Sequence, residues 1–113
     1  MGVQFSVEVR GSDRATVVAV RGELDIASSP ELEDALARVS EWGTELVILD
    51  LRELDFMDST GLQVLVKAHQ RAKDGGPRFA AVKGGPQVQR LLSMTGMDER
   101  MMLVDAPDGL GAS

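Results

Sequence analysis

Three short, almost entirely apolar runs constrain this chain most. They are residues 15–20, 46–49 and 79–82. Such runs are typical of strands buried on both faces of a sheet. Segments in which apolar residues recur at helical spacing separate the three runs. Strands that alternate with helices predict a mostly parallel sheet joined by right-handed crossovers.

A different pattern precedes the first run. Val3, Phe5, Val7 and Val9 alternate with polar residues, which is typical of a strand with one wet face. The turn cluster at residues 11–14 is short, so the first two strands are predicted to form an antiparallel hairpin at the edge of the sheet.

Start and stop signals predict three helices. The first begins at a Ser-Ser-Pro-Glu sequence, in which a Ser oxygen caps free backbone N–H groups and Pro30 fits the first turn. The helices are predicted at residues 28–43, 59–75 and 84–96, and a last strand at 101–104. The order is β-β-α-β-α-β-α-β, an α/β fold with the helices packed on the sheet.

The length of 113 residues predicts a single domain, 1–113. Its ordered core is expected at about 3–104. The tail, 105–113, contains Pro and Gly and has no helical apolar stripe, so it is expected to fray.

Composition excludes several classes of function. The net charge of −6 disfavours nucleic acids and anionic membranes as partners. The chain has no Cys and one His, which excludes disulfides, thiolate nucleophiles, zinc ribbons and multi-histidine metal centres. No signal peptide and no membrane-length apolar run is recognisable. We therefore expect a cytoplasmic protein without a cofactor or a resident metal ion.

Two loops follow buried strands and should emerge at the same edge of the sheet, where ligands and partners of open α/β sheets bind. They are residues 22–25 and 55–61. Within the second loop, Ser59 precedes a helical apolar pattern, so its simplest interpretation is a helix cap.

Ser59 cannot be the nucleophile of a self-contained hydrolase. The only His, His69, lies ten residues further along the same predicted helix, about 15 Å away at 1.5 Å per residue. A phosphate placed on Ser59 would instead meet free N–H groups at the positive end of the helix. The domain would tolerate it, and a bound partner would experience the added charge.

Other residues near these loops leave alternatives open. Asp25, Asp55 and Asp58 are either solvated acids or ligands that gather a magnesium ion. Phe56 and Met57 either tuck under the helix or anchor a partner. The Gly-Gly-Pro sequence at residues 84–86 is either a helix-entry turn or an anion-binding nest. Four methionines form either part of the core, which is the default, or a soft patch in a groove: Met94, Met97, Met101 and Met102.

Three motifs together resemble the STAS domain family, and most closely its stand-alone anti-sigma factor antagonists. They are Gly22-Glu23-Leu24-Asp25, Asp58-Ser59-Thr60-Gly61-Leu62 and Leu91-Leu92-Ser93-Met94-Thr95-Gly96-Met97-Asp98. The resemblance covers residues 3–104. One departure is that family members usually close with a further C-terminal helix, for which the tail has no pattern.

The resemblance implies a partner-switching protein that is not an enzyme. The unphosphorylated form binds an anti-sigma factor, a GHKL-type ATP-dependent serine kinase, and frees a sigma factor. Phosphorylation weakens that complex and a phosphatase restores it. Ser59 matches the phosphoacceptor. The residues expected to bind the partner are Asp25, Phe56, Met57, Asp58, Ser59, Thr60 and Gly61.

Two other hypotheses remain. The chain could be a STAS docking subunit of a membrane transporter or of a large sensory complex. It could also bind a nucleotide through its Gly-rich and acidic loops, although no Gly-Lys-[Ser/Thr] motif accompanies them.

Overall fold

The computed structural model describes residues 4–11 and 14–107. Within these residues there are five strands and four helices. The five strands and three of the helices follow the predicted order, and the fourth helix is a short extra one before the last strand. They are β1 (Ser6–Gly11), β2 (Ala15–Leu24), α1 (Ser29–Ser40), β3 (Leu46–Met57), α2 (Ser59–Lys73), β4 (Arg78–Val82), α3 (Pro86–Thr95), α4 (Met97–Arg100) and β5 (Met102–Val104).

The strands form one sheet in the order β1-β2-β3-β4-β5. β1 pairs antiparallel with β2, and the other three pairings are parallel. The predicted mixed sheet with an antiparallel edge hairpin is therefore confirmed. Each crossover advances the sheet by one strand in the same direction. Because β2, β3 and β4 are parallel, their carboxyl ends lie at a common edge of the sheet.

One continuous core joins the helices to the sheet. Alternate residues of β3, such as Val47, Leu49 and Leu51, belong to the cluster that includes Leu36 of α1 and Leu65 of α2. The intervening residues lie on the opposite face of the sheet. There Leu46 and Ile48 form a second, smaller cluster with Ala80 and Val82 of β4.

β3 is longer than its apolar run predicts. It extends through Met57, whereas its pairing with β4 ends where Asp50 faces Val82. Beyond that point β3 continues to pair with β2, which extends to Leu24. Part of each predicted loop is therefore strand. The sequence did not predict these extensions because their polar residues conceal the strand pattern.

The last third of the chain departs from expectation in small ways. The extra helix α4 buries Met97, and Met101 is buried beside it, whereas Met94 and Met102 are exposed. The core assignment thus holds for two of the four methionines. Residues 108–113 of the predicted tail lie outside the described residues. No helix in the described ranges has both the length and the apolar composition needed to cross a membrane.

Asp50 is the only buried charged residue among those described. Arg52 donates to its carboxylate from Nε at 3.0 Å, from Nη2 at 2.8 Å and from the backbone N–H at 3.1 Å. Burial alone would raise the pKa of Asp50. The hydrogen bonds and positive charge of Arg52 outweigh burial and hold that pKa below its ordinary value.

We predict that Asp50→Asn lowers the free energy of unfolding by about 1–2 kcal/mol at pH 7, because a neutral amide is a weaker acceptor for Arg52. Because the pKa of Asp50 is depressed on folding, its contribution is present above the ordinary carboxyl pKa and is lost as pH falls through the lowered value. Urea denaturation should show the gap between wild type and Asp50→Asn closing in acid.

Glu53→Gln is the matched control for this prediction. Glu53 and its partner Arg21 are both exposed and lie 3.6 Å apart, so the change should be under about 0.5 kcal/mol. Equal losses in the two variants, or a gap that widens as pH falls, would contradict the assignment.

Candidate functional site

The predicted loops, 22–25 and 55–61, meet at one edge of the sheet. Because β2 extends to Leu24, the first loop of the structure is shifted to residues 25–28, and we call residues 25–28 and 55–61 the rim. Leu24 is paired with Met57 at the ends of β2 and β3. Immediately beyond, the backbone N–H of Asp58 donates to the carbonyl of Leu24 at 3.1 Å. The expectation that both loops emerge at the same edge is confirmed. The register of β2 and β3 places the two strand ends side by side.

Asp58, not Ser59, is the N-cap of α2. Its backbone is extended, with φ −106° and ψ −174°, and its side chain accepts a hydrogen bond from the Gly61 N–H at 3.0 Å. The interpretation of Ser59 as the cap is therefore wrong. A carboxylate one residue earlier has the reach to satisfy the same donor.

Ser59 occupies the first helical position and its side chain is exposed. Within the described part of the chain, no hydrogen bond engages its hydroxyl. The backbone N–H groups of Ser59 and Thr60 belong to the first turn and have no intrahelical acceptor. The hydroxyl is thus accessible to another molecule and lies at the positive end of a helix of 15 residues. Thr60 beside it is half-buried.

Gly61 allows α2 to start directly against β2. A Cβ at this position would lie 2.7 Å from the Leu24 Cγ and 2.8 Å from the Leu24 carbonyl oxygen. Gly61 is itself buried. Its role is close packing beneath the rim. The prediction that Gly61 contacts a partner would require an exposed surface, which this buried residue does not present.

We predict that Gly61→Ala destabilises the protein by about 1–3 kcal/mol, because the backbone carbonyl of Leu24 must move to admit a methyl group. Thermal unfolding measures the loss. Gly11→Ala is the control, since a Cβ there meets nothing within 4 Å. A Gly61→Ala protein as stable as Gly11→Ala would show that α2 does not depend on this contact.

Asp25 organises the first loop of the rim. Its Oδ1 accepts from the Ala27 N–H at 3.0 Å, the Ser28 N–H at 3.1 Å and the Ser28 hydroxyl at 3.2 Å. The single hydrogen of the Ser28 hydroxyl is shared between Asp25 Oδ1 and the closer Glu23 carbonyl, which lies at 2.7 Å. Ser28 therefore stands at the N-cap of α1 without making the predicted side-chain cap bond. Asp25 is half-buried, and one of its oxygens is committed to the turn.

The magnesium alternative gains no support from the geometry. Among the residues that the structure describes, no three carboxylates or imidazoles are grouped closely enough to hold a metal ion. Asp55 is exposed. The acids of the rim therefore act as solvated charges and as backbone acceptors.

Phe56 and Met57, the two apolar residues before the helix, separate into different roles. Met57 is fully buried, whereas Phe56 is 37% exposed. The prediction that Met57 is a direct partner contact is wrong, since its side chain belongs to the core. Phe56 remains available as an anchor.

Ile26 is an apolar residue of the rim that the sequence analysis missed. It lies in the loop that Asp25 organises, and it is 75% exposed. An isolated Ile between Asp and Ala in a turn gives little signal by itself. Its significance comes from the pairing of Leu24 with Met57, which brings this loop beside the start of α2.

Gln87, in the first turn of α3, is the second residue that sequence reasoning missed. Its Oε1 accepts from the Met57 N–H at 2.9 Å, and its Nε2 donates to the Met57 carbonyl at 2.8 Å. The two residues are 30 positions apart, and no local pattern links them.

The Gly-Gly-Pro sequence forms the entry to α3. A Cβ on Gly84 would lie 2.9 Å from the Leu51 carbonyl oxygen, so this turn lies against β3. The Gly84 N–H is already bound by the Gln89 Oε1 at 2.8 Å. These contacts favour the helix-entry interpretation over an anion-binding nest.

Comparisons with known proteins agree with this geometry. The model of the STAS domain family matches residues 6–107. A Bacillus subtilis (strain 168) protein named anti-sigma-B factor antagonist is 30% identical over 97 residues, which are 86% of this chain and 88% of that protein. A Staphylococcus aureus (strain NCTC 8325 / PS 47) protein of the same name is 28% identical over 99 residues, covering 88% of this chain and 92% of its own.

A solved structure resembles the whole fold. The crystal structure of an anti-sigma factor antagonist from Mycobacterium paratuberculosis superposes with a TM-score of 0.84 at 28% identity. The superposition covers 93% of this chain and 89% of that one.

Proposed function

The chain belongs to the STAS domain family, and we propose that it acts as an anti-sigma factor antagonist switched at Ser59. The unphosphorylated protein binds an anti-sigma factor that is also a GHKL-type serine kinase, and so frees a sigma factor. Phosphorylation of Ser59 weakens the complex, and a phosphatase restores it. The chain acts in the cytoplasm as a binding module and catalyses no reaction itself.

The observation that carries this proposal is the state of the Ser59 hydroxyl. It is exposed, it stands at the first position of α2, and within the described residues it has no hydrogen-bond partner. The only imidazole of the chain, His69, lies ten residues along the same helix, about 15 Å away. His69 is therefore too far away to act as a base for Ser59, and we assign that role to the kinase.

The transfer then balances as an ordinary kinase reaction. A base of the kinase takes the proton from Ser59 Oγ, and Oγ forms a bond to the γ-phosphorus of ATP. The bond between that phosphorus and the β,γ-bridging oxygen breaks, and ADP leaves. The chain contributes only an accessible oxygen held at a fixed position.

Charge explains why the modification would affect binding and not folding. A phosphate adds about −1.5 to −2 charges next to Asp58. In the free protein, water and the unpaired N–H groups of the first turn stabilise that charge. In a complex, water is excluded, and repulsion from the acids of the rim is less screened.

We predict that phosphorylation of Ser59 weakens binding to the anti-sigma factor kinase about a hundredfold, which corresponds to about 2.7 kcal/mol. The melting temperature should remain nearly unchanged. The phosphate is mapped by mass spectrometry after incubation with the kinase and ATP, and affinity is measured by calorimetry. Ser59→Ala should bind but accept no phosphate, and Ser59→Asp should bind more weakly than wild type.

Two results would overturn the switch. One is a phosphate that the kinase places only on other residues. The other is a Ser59→Asp protein that binds the kinase as tightly as wild type. A large thermal shift on phosphorylation would contradict the argument that the helix start tolerates the added charge.

We predict that Ile26→Ser weakens kinase binding at least tenfold, because burial of an exposed Ile against a partner contributes about 1.5–3 kcal/mol. Its fold stability should hardly change, since the side chain is 75% exposed. Met94→Ser is the matched control, because Met94 is 74% exposed and follows Gln87 by seven residues along α3. Equal affinities for the two variants would remove Ile26 from the interface.

A further inference from the structure

In the described part of the chain, the far end of β3 has no second neighbouring strand, unlike a typical central strand. β4 pairs with β3 only as far as Asp50 and Val82, while β3 continues to Met57. Backbone groups in a strand need partners on both sides when they are buried. At Met57, whose side chain is fully buried, the missing partner is supplied by a side chain.

That side chain is Gln87, and it pairs both polar backbone groups of one residue. It accepts from the Met57 N–H at 2.9 Å and donates to the Met57 carbonyl at 2.8 Å. A planar amide that accepts and donates side by side reproduces the hydrogen bonds of a neighbouring strand. α3 thereby takes the place of a strand at the point where β3 ends.

The next residue is held from the opposite side. The Asp58 N–H donates to the Leu24 carbonyl of β2 at 3.1 Å. Successive residues of an extended chain direct their backbone groups to alternate sides. Met57 and Asp58 are therefore clamped between α3 and β2, and Ser59 follows directly.

We propose that Gln87 is a positioning residue for Ser59. By fixing Met57 on the side of the strand away from β2, its amide sets the direction in which the backbone enters α2, and so the place at which the Ser59 hydroxyl is presented. This inference rests on the proposed function insofar as Ser59 is the phosphoacceptor. It also couples the first turn of α3 to the rim, although α3 is 27 or more positions away from Ser59 in sequence.

The local part of the proposal is tested without any partner. Gln87→Met keeps the size of the side chain and removes both hydrogen bonds. NMR-detected hydrogen exchange should show the Met57 and Asp58 amides exchanging about tenfold faster in Gln87→Met, while amides of α1 and of the centre of β3 keep their rates. Gln87→Glu keeps an acceptor for the Met57 N–H but sets a carboxylate oxygen against the Met57 carbonyl at pH 7. Repulsion between the two oxygens should displace the side chain and give the same local effect.

Gln89→Met is the matched control. Gln89 also lies in α3 and its side chain also accepts from a backbone N–H, but that N–H belongs to Gly84 and not to Met57. Its effect should be confined to the Gly84 amide. Unchanged exchange at Met57 and Asp58 in Gln87→Met would overturn the clamp. A uniform acceleration of all amides would also overturn it, since that result would make Gln87 a contributor to global stability only.

The functional part is read from phosphorylation kinetics with the kinase that modifies Ser59. Misplacing the hydroxyl within an otherwise intact interface should lower kcat about tenfold and change KM less than threefold. Gln89→Met should match wild type in both constants. A Gln87→Met protein with wild-type kcat, or with a changed KM alone, would overturn the positioning role.

The two proposals fail differently. If Ser59→Ala is phosphorylated as fast as wild type, Ser59 is not the acceptor and the proposed function fails, whatever the exchange rates show. If Ser59 is the acceptor but Gln87→Met leaves exchange and kcat unchanged, only the positioning role fails.

Discussion

The parallel pairing of Leu24 with Met57 is the contact on which the candidate site depends. It brings the end of β2 against the end of β3, and the Leu24 carbonyl then receives the Asp58 N–H. Gly61 packs on the same carbonyl, which a side chain of any size would displace. One backbone group thus organises the strand end, the helix cap and the first helical turn together.

The sheet could be predicted from the sequence because its centre obeys simple patterning. The apolar runs of β3 and β4 are buried on both faces. In β2, buried residues alternate with half-buried ones, so its second face is only partly covered, and the alternation in β1 indicates a strand at the edge. The extensions of β2 and β3 could not be predicted. Exposed residues such as Arg52, Glu53 and Asp55 interrupt their apolar pattern, and pairing between the two strands, which is not visible in the sequence, maintains the extended conformation.

The candidate site was predictable to a similar degree. An exposed Ser59 at the start of a helix follows from local signals, but the choice of Asp58 as cap depends on backbone geometry that composition does not reveal. Whether Met57 is buried or contacts a partner stayed open in the sequence, because its place at the end of β3 was not recognisable. Gln87 acts across 30 positions, and such a contact becomes visible only when the chain is folded.

Because the Asp58 side chain caps α2, no hydrogen bond among the residues that the structure describes depends on the Ser59 hydroxyl. In the proposed cycle, Ser59 can therefore carry a removable chemical label while the fold stays the same. Phosphorylation changes the charge of the surface and not the fold, so neither adding nor removing the phosphate requires the domain to unfold. In this cycle, the kinase and the phosphatase set the rate of switching, and the same folded protein is available for repeated rounds of modification.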